Sequence, residues 1–467
     1  MEVTFLHLGA VSSPSGAGTS RSDTGVETPR WQAPTRSGSA TVRGVTERGP
    51  MAEFTTDTQA RAPERTESRR TPTAEATEVS AAGRAGASVS GWTGTSVEGR
   101  AEVSVEARRG APAEARPGDR VITPGPTDGH EAAVILERVR AAVDPALRRA
   151  VESLPRSLRR VALYHFGWLH ADGTPATGNA GKAIRPALVL TAAAALGGDR
   201  AREAAVPAAV AVELVHNFTL LHDDVMDRDT TRRHRPTAWT VFGDADAILA
   251  GDALQALALR LLAEDPHPAA GAAAARLAAC VVELCEGQHE DTAMEGLSPG
   301  EVTLDQVLVM AEAKTGALLG CACALGALYA GSSTEDVDAM DAFGREAGLA
   351  FQLIDDVIGI WGDPSRTGKP AGADLAARKK SLPVVAALTS GTAASAELAE
   401  LYAAPYDERD LARTVLAVEE AGGRDWAQVQ AADRMARAMG QLARAVPDPE
   451  AAGGLLSLAE FVTRRSS

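Results

Sequence analysis

Residues 215–237 read VHNFTLLHDDVMDRDTTRRHRPT, the polar end of an apolar stretch that begins near residue 204. Upstream of the carboxylates, apolar residues recur every three or four positions, which predicts a helix over 204–227. Asp223 and Asp227 stand four apart, so on a helix they share one face, one turn apart, with Asp224 beside them. Carboxylates so placed are hard oxygen ligands suited to Mg²⁺, an ion that keeps waters and bridges to phosphates. A capped, solvated helix end produces the same cluster, so alone it decides little.

A second stretch, FQLIDDVIGIWGDPSRTGKPAGAD at 351–374, repeats the arrangement: Asp355 and Asp356 close a helix predicted over 334–360, and Lys369 follows in the loop. Basic groups are scattered between the two clusters. Arg232 and Arg233 trail the first, Lys314 and Thr315 sit in AEAKTGA, and GKAIRP upstream supplies Lys182 and Arg185. Two carboxylate clusters with separated cations suit a polyanion bridged by metal, because the metal neutralises what carboxylates alone would repel. That is the outline of a diphosphate site.

Outward from these stretches, Ala-rich helical periodicity covers 131–154, 182–198, 244–263, 269–294 and 303–330. It resumes at 375–390, 408–421, 424–446 and 450–464, with Gly, Pro and Asp punctuating the gaps. No strand alternation or short repeat stands out. Residues 126–467 therefore read as one all-α domain, a bundle of ten or more helices.

The first 125 residues are a different polymer. Residues 1–120 hold 15 Arg, no Lys, 15 acidic residues and only 14 Leu, Ile, Val and Phe. So few large apolar residues cannot offset ordering entropy, and the segment is expected to be disordered. Val3–Leu8, Trp31, Phe54 and Trp92 are apolar islands that suit docking on a partner. GC-rich coding yields similar composition, so a start downstream, with Met51 a candidate, is the competing reading.

The whole net charge of −15 falls on 121–467, which argues against a nucleic-acid surface. No apolar run reaches the roughly 18–20 residues of a membrane span, and the opening residues lack a basic leader. Cys280, Cys285, Cys321 and Cys323 lack zinc-type spacing and read as small fillers of a reduced, cytoplasmic protein.

The motifs, in order over about 135–465, resemble the trans-isoprenyl diphosphate synthases, the polyprenyl synthetase family: GKAIRP, DDVMD with trailing arginines, Lys-Thr, FQ-x-x-DD and GD-x4-GK. The resemblance implies the isoprenoid synthase fold with a deep cavity among its helices. It implies that Lys182, Arg185, His216 and Arg233 hold isopentenyl diphosphate. Arg232, Lys314, Thr315, Gln352 and Lys369 would face the allylic diphosphate. Asp223, Asp227 and Asp355 would bind three Mg²⁺, with Asp224 and Asp356 completing the catalytic carboxylates and Gln288 and Asp291 in support. It further implies a homodimer and, by likeness to members with long N-terminal extensions, loading of residues 1–125 into an encapsulin shell.

Two positions depart from the family pattern: Gly359 replaces the last carboxylate of the second motif, and Ala183 replaces a basic residue of the first block. Activity with a weakened third metal site is expected. Phe218 and Thr219, five and four residues before Asp223, occupy the family's chain-length positions. One ring without a motif insertion points to a twenty-carbon product, geranylgeranyl diphosphate, with farnesyl diphosphate the alternative. A class I terpene cyclase and a non-catalytic regulatory subunit are the competing functions.

Overall fold

The computed structural model describes residues 130–178, 181–363 and 371–463; the extension read at 1–125 and the loop residue Lys369 lie outside them. Helices α1 (His130–Glu152) and α2 (Arg156–His165) lead into α3 (Ile184–Ala204) and α4 (Val206–Met226), which meet at 87°. A hairpin of β1 (Thr231–Arg232) and β2 (Arg235–Pro236) precedes α5 (Ala238–Phe242), α6 (Asp244–Glu264) and α7 (Ala270–Glu295). Next, α8 (Leu304–Ala311), a π-helical turn (Glu312–Gly316) and α9 (Ala317–Tyr329) run on as one rod, followed by α10 (Thr334–Trp361). The rest is α11 (Ala373–Ala376), α12 (Leu382–Leu388), α13 (Ala393–Ala403), α14 (Leu411–Glu420), α15 (Gly423–Ala445) and α16 (Pro449–Thr463). The all-α reading holds among the described residues, apart from a hairpin too short for alternation to show.

The long apolar helices stand where periodicity placed them. The stretch read as 375–390 divides, because Ser381 and Pro383 start a new helix at Leu382. Short α2, α5 and α13 escaped the sequence reading, since helices of 5 to 11 residues carry too few turns for a clear period. The expectation about membrane-length runs needs correction. Leu304–Tyr329 forms 26 helical residues with mean hydropathy 1.5, long and apolar enough by length and composition to cross a membrane. Charged Asp305, Glu312 and Lys314 interrupt it in sequence, and 67% of its most apolar stretch is buried in the bundle. A helix apolar on all sides is what a core position requires.

The core places α4 and α9 inside, with α4 on α6, α3 on α9, and α10 on both α9 and α15. Close approach of these rods depends on missing side chains. A Cβ at Gly326 of α9 would lie 2.7 Å from the Ala192 Cβ of α3, and one at Gly344 of α10 2.7 Å from Gly320 of α9. Glycine at such crossings lets backbone meet backbone. The cysteines are free, three of them buried as fillers.

Candidate functional site

A cavity of about 1130 Å³ opens between the C-terminal end of α4, the faces of α7 and the α8–α9 rod, and the loop after α10. Asp223 and Asp227 line it from α4, and Asp227 is the helix C-cap. This is the unfavourable end for a carboxylate, because the macrodipole places negative charge there and the last carbonyls lack partners. Packed protein atoms push the Asp227 carboxyl above its ordinary range, and Asp223, Asp229 and Asp291 push the same way against the pull of Lys314. Such a cluster calls for cations.

The hairpin after α4 brings the first of them. Arg233 and His234 occupy its two central positions at φ 52° and 58°, where Asn-Gly would be the easy choice. Side chains there cost roughly 1–2 kcal/mol each, so anchors must hold the turn. Tyr164 Oη donates to the Pro236 carbonyl at 2.7 Å, and Arg235 donates to the carbonyls of Tyr164 and Leu169 at 3.0 Å each. Arg232 Nε donates to Asp224 Oδ1 at 2.7 Å. Asp224 is 1% exposed, and burial pushes it up to about 6 against the pull of Arg232. Asp224 lies off the cavity wall, about 100° round the helix from Asp223, and clamps the hairpin.

Arg233, Arg185 and His216 meet on the wall. Arg185 Nη1 donates to His216 Nε2 at 3.2 Å, which makes that nitrogen the acceptor of a neutral ring. Burial first, then Arg185 and Arg233, hold the imidazole well below its usual pKa. Lys182 of the same block is half-buried and off the wall, and Ala183 takes left-handed φ 57° as the α3 N-cap.

Across the cavity, the π turn carries Lys314 and Thr315. This wider turn fits because α7 offers Gly287, where a Cβ would come within 2.6 Å of the Lys314 nitrogen. Lys314 Nζ donates to Asp291 Oδ2 at 2.5 Å. Thr315 Oγ1 donates to Gln352 Oε1 at 2.8 Å, and Gln352 Nε2 donates to Asp356 Oδ1 at 2.7 Å. The Leu382 N–H donates to Asp356 Oδ2 at 3.0 Å. Both oxygens of Asp356 are thus engaged, and burial pushes it up to about 6. Asp355 beside it is equally buried and does not line the cavity.

Sequence reasoning missed two residues on this side, Asp374 and Lys379. Both line the cavity. Burial alone would depress the Lys379 ammonium, but Asp356, Asp374, Asp291 and Asp355 outweigh it and hold its pKa above the lysine range. The signal was the run RKKSLP at 378–383, basic residues directly before a helix start. Among the described residues no three His, Cys, Asp or Glu come together as a closed metal site. The donor set nonetheless fits Mg²⁺, which needs few protein oxygens: Asp223 and Asp227 face the cavity, and Asp374 Oδ2 is buried without a hydrogen-bond partner.

Phe218 and Thr219 line the cavity below Asp223. The Phe218 ring stands edge-on to His222, centroids 4.9 Å apart, and His222 Nε2 lies 2.9 Å from the Ile248 carbonyl oxygen. Gly251 of α6 leaves the room for that imidazole.

The polyprenyl synthetase family matches residues 168–418. The geranylgeranyl diphosphate synthase of Mycobacterium tuberculosis is 51% identical over 334 residues, 71% of this chain and 93% of that protein. The (2E,6E)-farnesyl diphosphate synthase of Mycobacterium bovis is 44% identical over 70% of this chain and 91% of its own length. The crystal structure of a polyprenyl synthetase from Streptomyces coelicolor superposes with a TM-score of 0.67 at 44% identity, over 71% of this chain and 99% of that one.

The Asp224–Arg232 clamp makes a prediction about stability. Arg232→Met leaves Asp224 buried without its cation and should lower unfolding free energy by about 3–5 kcal/mol in urea titration. Arg232→Met with Asp224→Leu should recover much of that loss.

Proposed function

The chain belongs to the polyprenyl synthetase family and is a prenyltransferase; from that premise we propose that its cavity joins isopentenyl diphosphate to an allylic diphosphate, yielding all-E geranylgeranyl diphosphate. The observation that carries the reading is convergence: Asp223 and Asp227 face Arg185, Arg233, Lys314 and Lys379 across one cavity. Arg185, held by His216, and Arg233 cradle the isopentenyl diphosphate. Lys314, Arg232 and Lys379 face the allylic diphosphate, with Thr315 and Gln352 fixing that wall through Asp356. Lys369 belongs to the same group by the resemblance.

Mg²⁺, three ions by the resemblance, would be held by Asp223 and Asp227 with the second acidic cluster, and when bound it supplies Lewis-acid stabilisation of the departing diphosphate. The cationic side chains are aimed where negative charge grows as the allylic C–O bond breaks, which lowers the barrier rather than only tightening binding. Leu284, Val307, Met310 and Ala311 keep an apolar wall that excludes water from the allylic cation. The isopentenyl double bond attacks that cation, and the proton lost passes to the released pyrophosphate.

Product length follows from Phe218. Its ring, braced by His222, forms the floor under a growing chain beneath small Thr219. The two relatives, a geranylgeranyl and a farnesyl synthase, bracket the choice, and farnesyl diphosphate is the second reading. Exposed Ile248 and Leu249 on α6 and Val282 on α7 suit the face of a homodimer. Residues 1–125, with apolar islands between Gly-, Ser- and Thr-rich spacers, suit loading of this cytoplasmic enzyme into an encapsulin-type shell.

Asp223→Ala should abolish condensation of isopentenyl and farnesyl diphosphates while the melting temperature holds, and chelation should do the same to the unaltered enzyme until Mg²⁺ returns. Near-normal turnover in Asp223→Ala would overturn the site. Phe218→Ala should shift products beyond twenty carbons by chromatography; an unchanged distribution puts the floor elsewhere. Co-expressed with a shell protein, the full chain should co-purify with particles, whereas a chain starting at Arg120 should stay free and active; equal loading of both would remove the extension's role.

A further inference from the structure

The segment that delivers Lys379 to the cavity runs against backbone preference. Arg378, just before it, takes left-handed φ 55°. A glycine sits there without strain, whereas a side chain crowds its own backbone. The side chain kept at that position is a long one, and its forked end turns to another helix. Arg378 Nη1 donates to the Leu401 carbonyl at 2.5 Å and Nη2 to the Ala404 carbonyl at 2.7 Å. Neither partner lines the cavity. They are carbonyls at the C-terminal end of α13, where the helix has no further N–H groups to offer and its dipole favours a cation. The guanidinium also lies over the rings of Tyr402 and Tyr406, 5.3 and 5.8 Å from their centroids.

The same helix end holds Lys379 itself. Tyr402 Oη donates to the Lys379 carbonyl at 3.2 Å, and the Lys379 N–H donates to the Asp374 carbonyl at 2.9 Å. Its backbone is therefore tied on both sides, to α13 and to α11. Behind the tie, Leu375 of α11 packs in one buried cluster with Leu398 and Leu401 of α13. The Lys379 ammonium stands among Asp291, Asp355, Asp356 and Asp374. A lysine head rides on a flexible four-carbon stem, and here four carboxylates compete for it. The place it takes depends on where its backbone is anchored.

We propose that Arg378 and Tyr402 are positioning residues: from the end of α13 they fix the backbone of Lys379, and so the point at which its ammonium meets the allylic diphosphate. The left-handed turn at Arg378 persists because this tether over-determines it. The inference rests on Lys379 facing that diphosphate, as argued above. If Arg378 touched the diphosphate itself, its loss would weaken binding whether or not Lys379 were present. If it only fastened α13 to the bundle, its loss would lower stability and leave substrate affinity alone.

The experiment is a double-mutant cycle on the full chain, reading melting temperature and the KM for farnesyl and isopentenyl diphosphates. Lys379→Met should raise the KM for farnesyl diphosphate about tenfold or more. Arg378→Gly should raise it about fivefold while the KM for isopentenyl diphosphate stays within about twofold, because the ammonium is misplaced rather than removed. Added to Lys379→Met, Arg378→Gly should change the farnesyl diphosphate KM by less than about twofold. Tyr402→Phe keeps the ring under the guanidinium, removes only the bond to the Lys379 carbonyl, and should raise the same KM about threefold. Arg378→Lys, with one ammonium for two carbonyls, should fall between Arg378→Gly and the unaltered chain. An unchanged KM in either Arg378→Gly or Tyr402→Phe, or an Arg378→Gly effect that persists in full beside Lys379→Met, overturns the proposal. Should Arg378→Gly fail to fold, Tyr402→Phe with and without Lys379→Met decides by the same criteria. If Lys379→Met leaves the KM untouched, the assignment of Lys379 fails first and the proposal with it.

Discussion

Carboxylates crowded at the C-terminal end of a helix repel one another, and the arrangement of this protein around its cavity follows from that repulsion. Asp223 and Asp227 sit where the helix dipole already contributes about half a negative charge. Two like charges 4 Å apart cost about 4 kcal/mol at the effective dielectric of a protein surface. Net stabilities of domains are only about 5–15 kcal/mol. Compensation therefore has to be built in, and it is: Lys314 is held to Asp291, Arg233 lies on the wall, and Lys379 stands among four carboxylates. A cavity so balanced has excess charge of both signs to offer a bridged polyanion.

Each adjacent aspartate pair divides its labour. Asp223 faces the cavity while Asp224 turns inward to hold Arg232 and, through it, the hairpin. In the second pair Asp356 reaches the wall but is tied to Gln352 and the Leu382 N–H, and Asp355 is set back. Neighbours on a helix are separated by about 100°, so two acids in succession cannot serve one face equally.

The scaffold reaches these positions through local departures from regular geometry. Arg233 and His234 adopt left-handed backbone in a hairpin held by Tyr164 and Arg235. A π turn rotates Lys314 and Thr315 to the wall, and Gly287 opposite provides the space. Gly359 does likewise for Asp374. Deviations of this kind cost energy and persist where the surroundings over-determine them, which is common at functional sites.

By itself the sequence determined the long helices and the class of chemistry. A helix read at 204–227 stands at Val206–Met226 and one read at 334–360 at Thr334–Trp361, because apolar period and terminal carboxylates are local properties of the chain. The pairing of two acidic clusters with scattered cations was legible for the same reason. What only the tertiary structure decided is which member of each pair faces the cavity, that Lys182 and Asp355 stand off its wall, and that Lys379 and Asp374 stand on it. The Arg233–His234 turn carries no glycine or asparagine to announce it, and a π turn has no sequence signature of its own. Asp374 lies fifteen positions beyond Gly359, in whose missing side-chain space its carboxylate sits. Whether a carboxylate meets a vacancy on another element depends on where the chain returns, and packing between distant segments sets that.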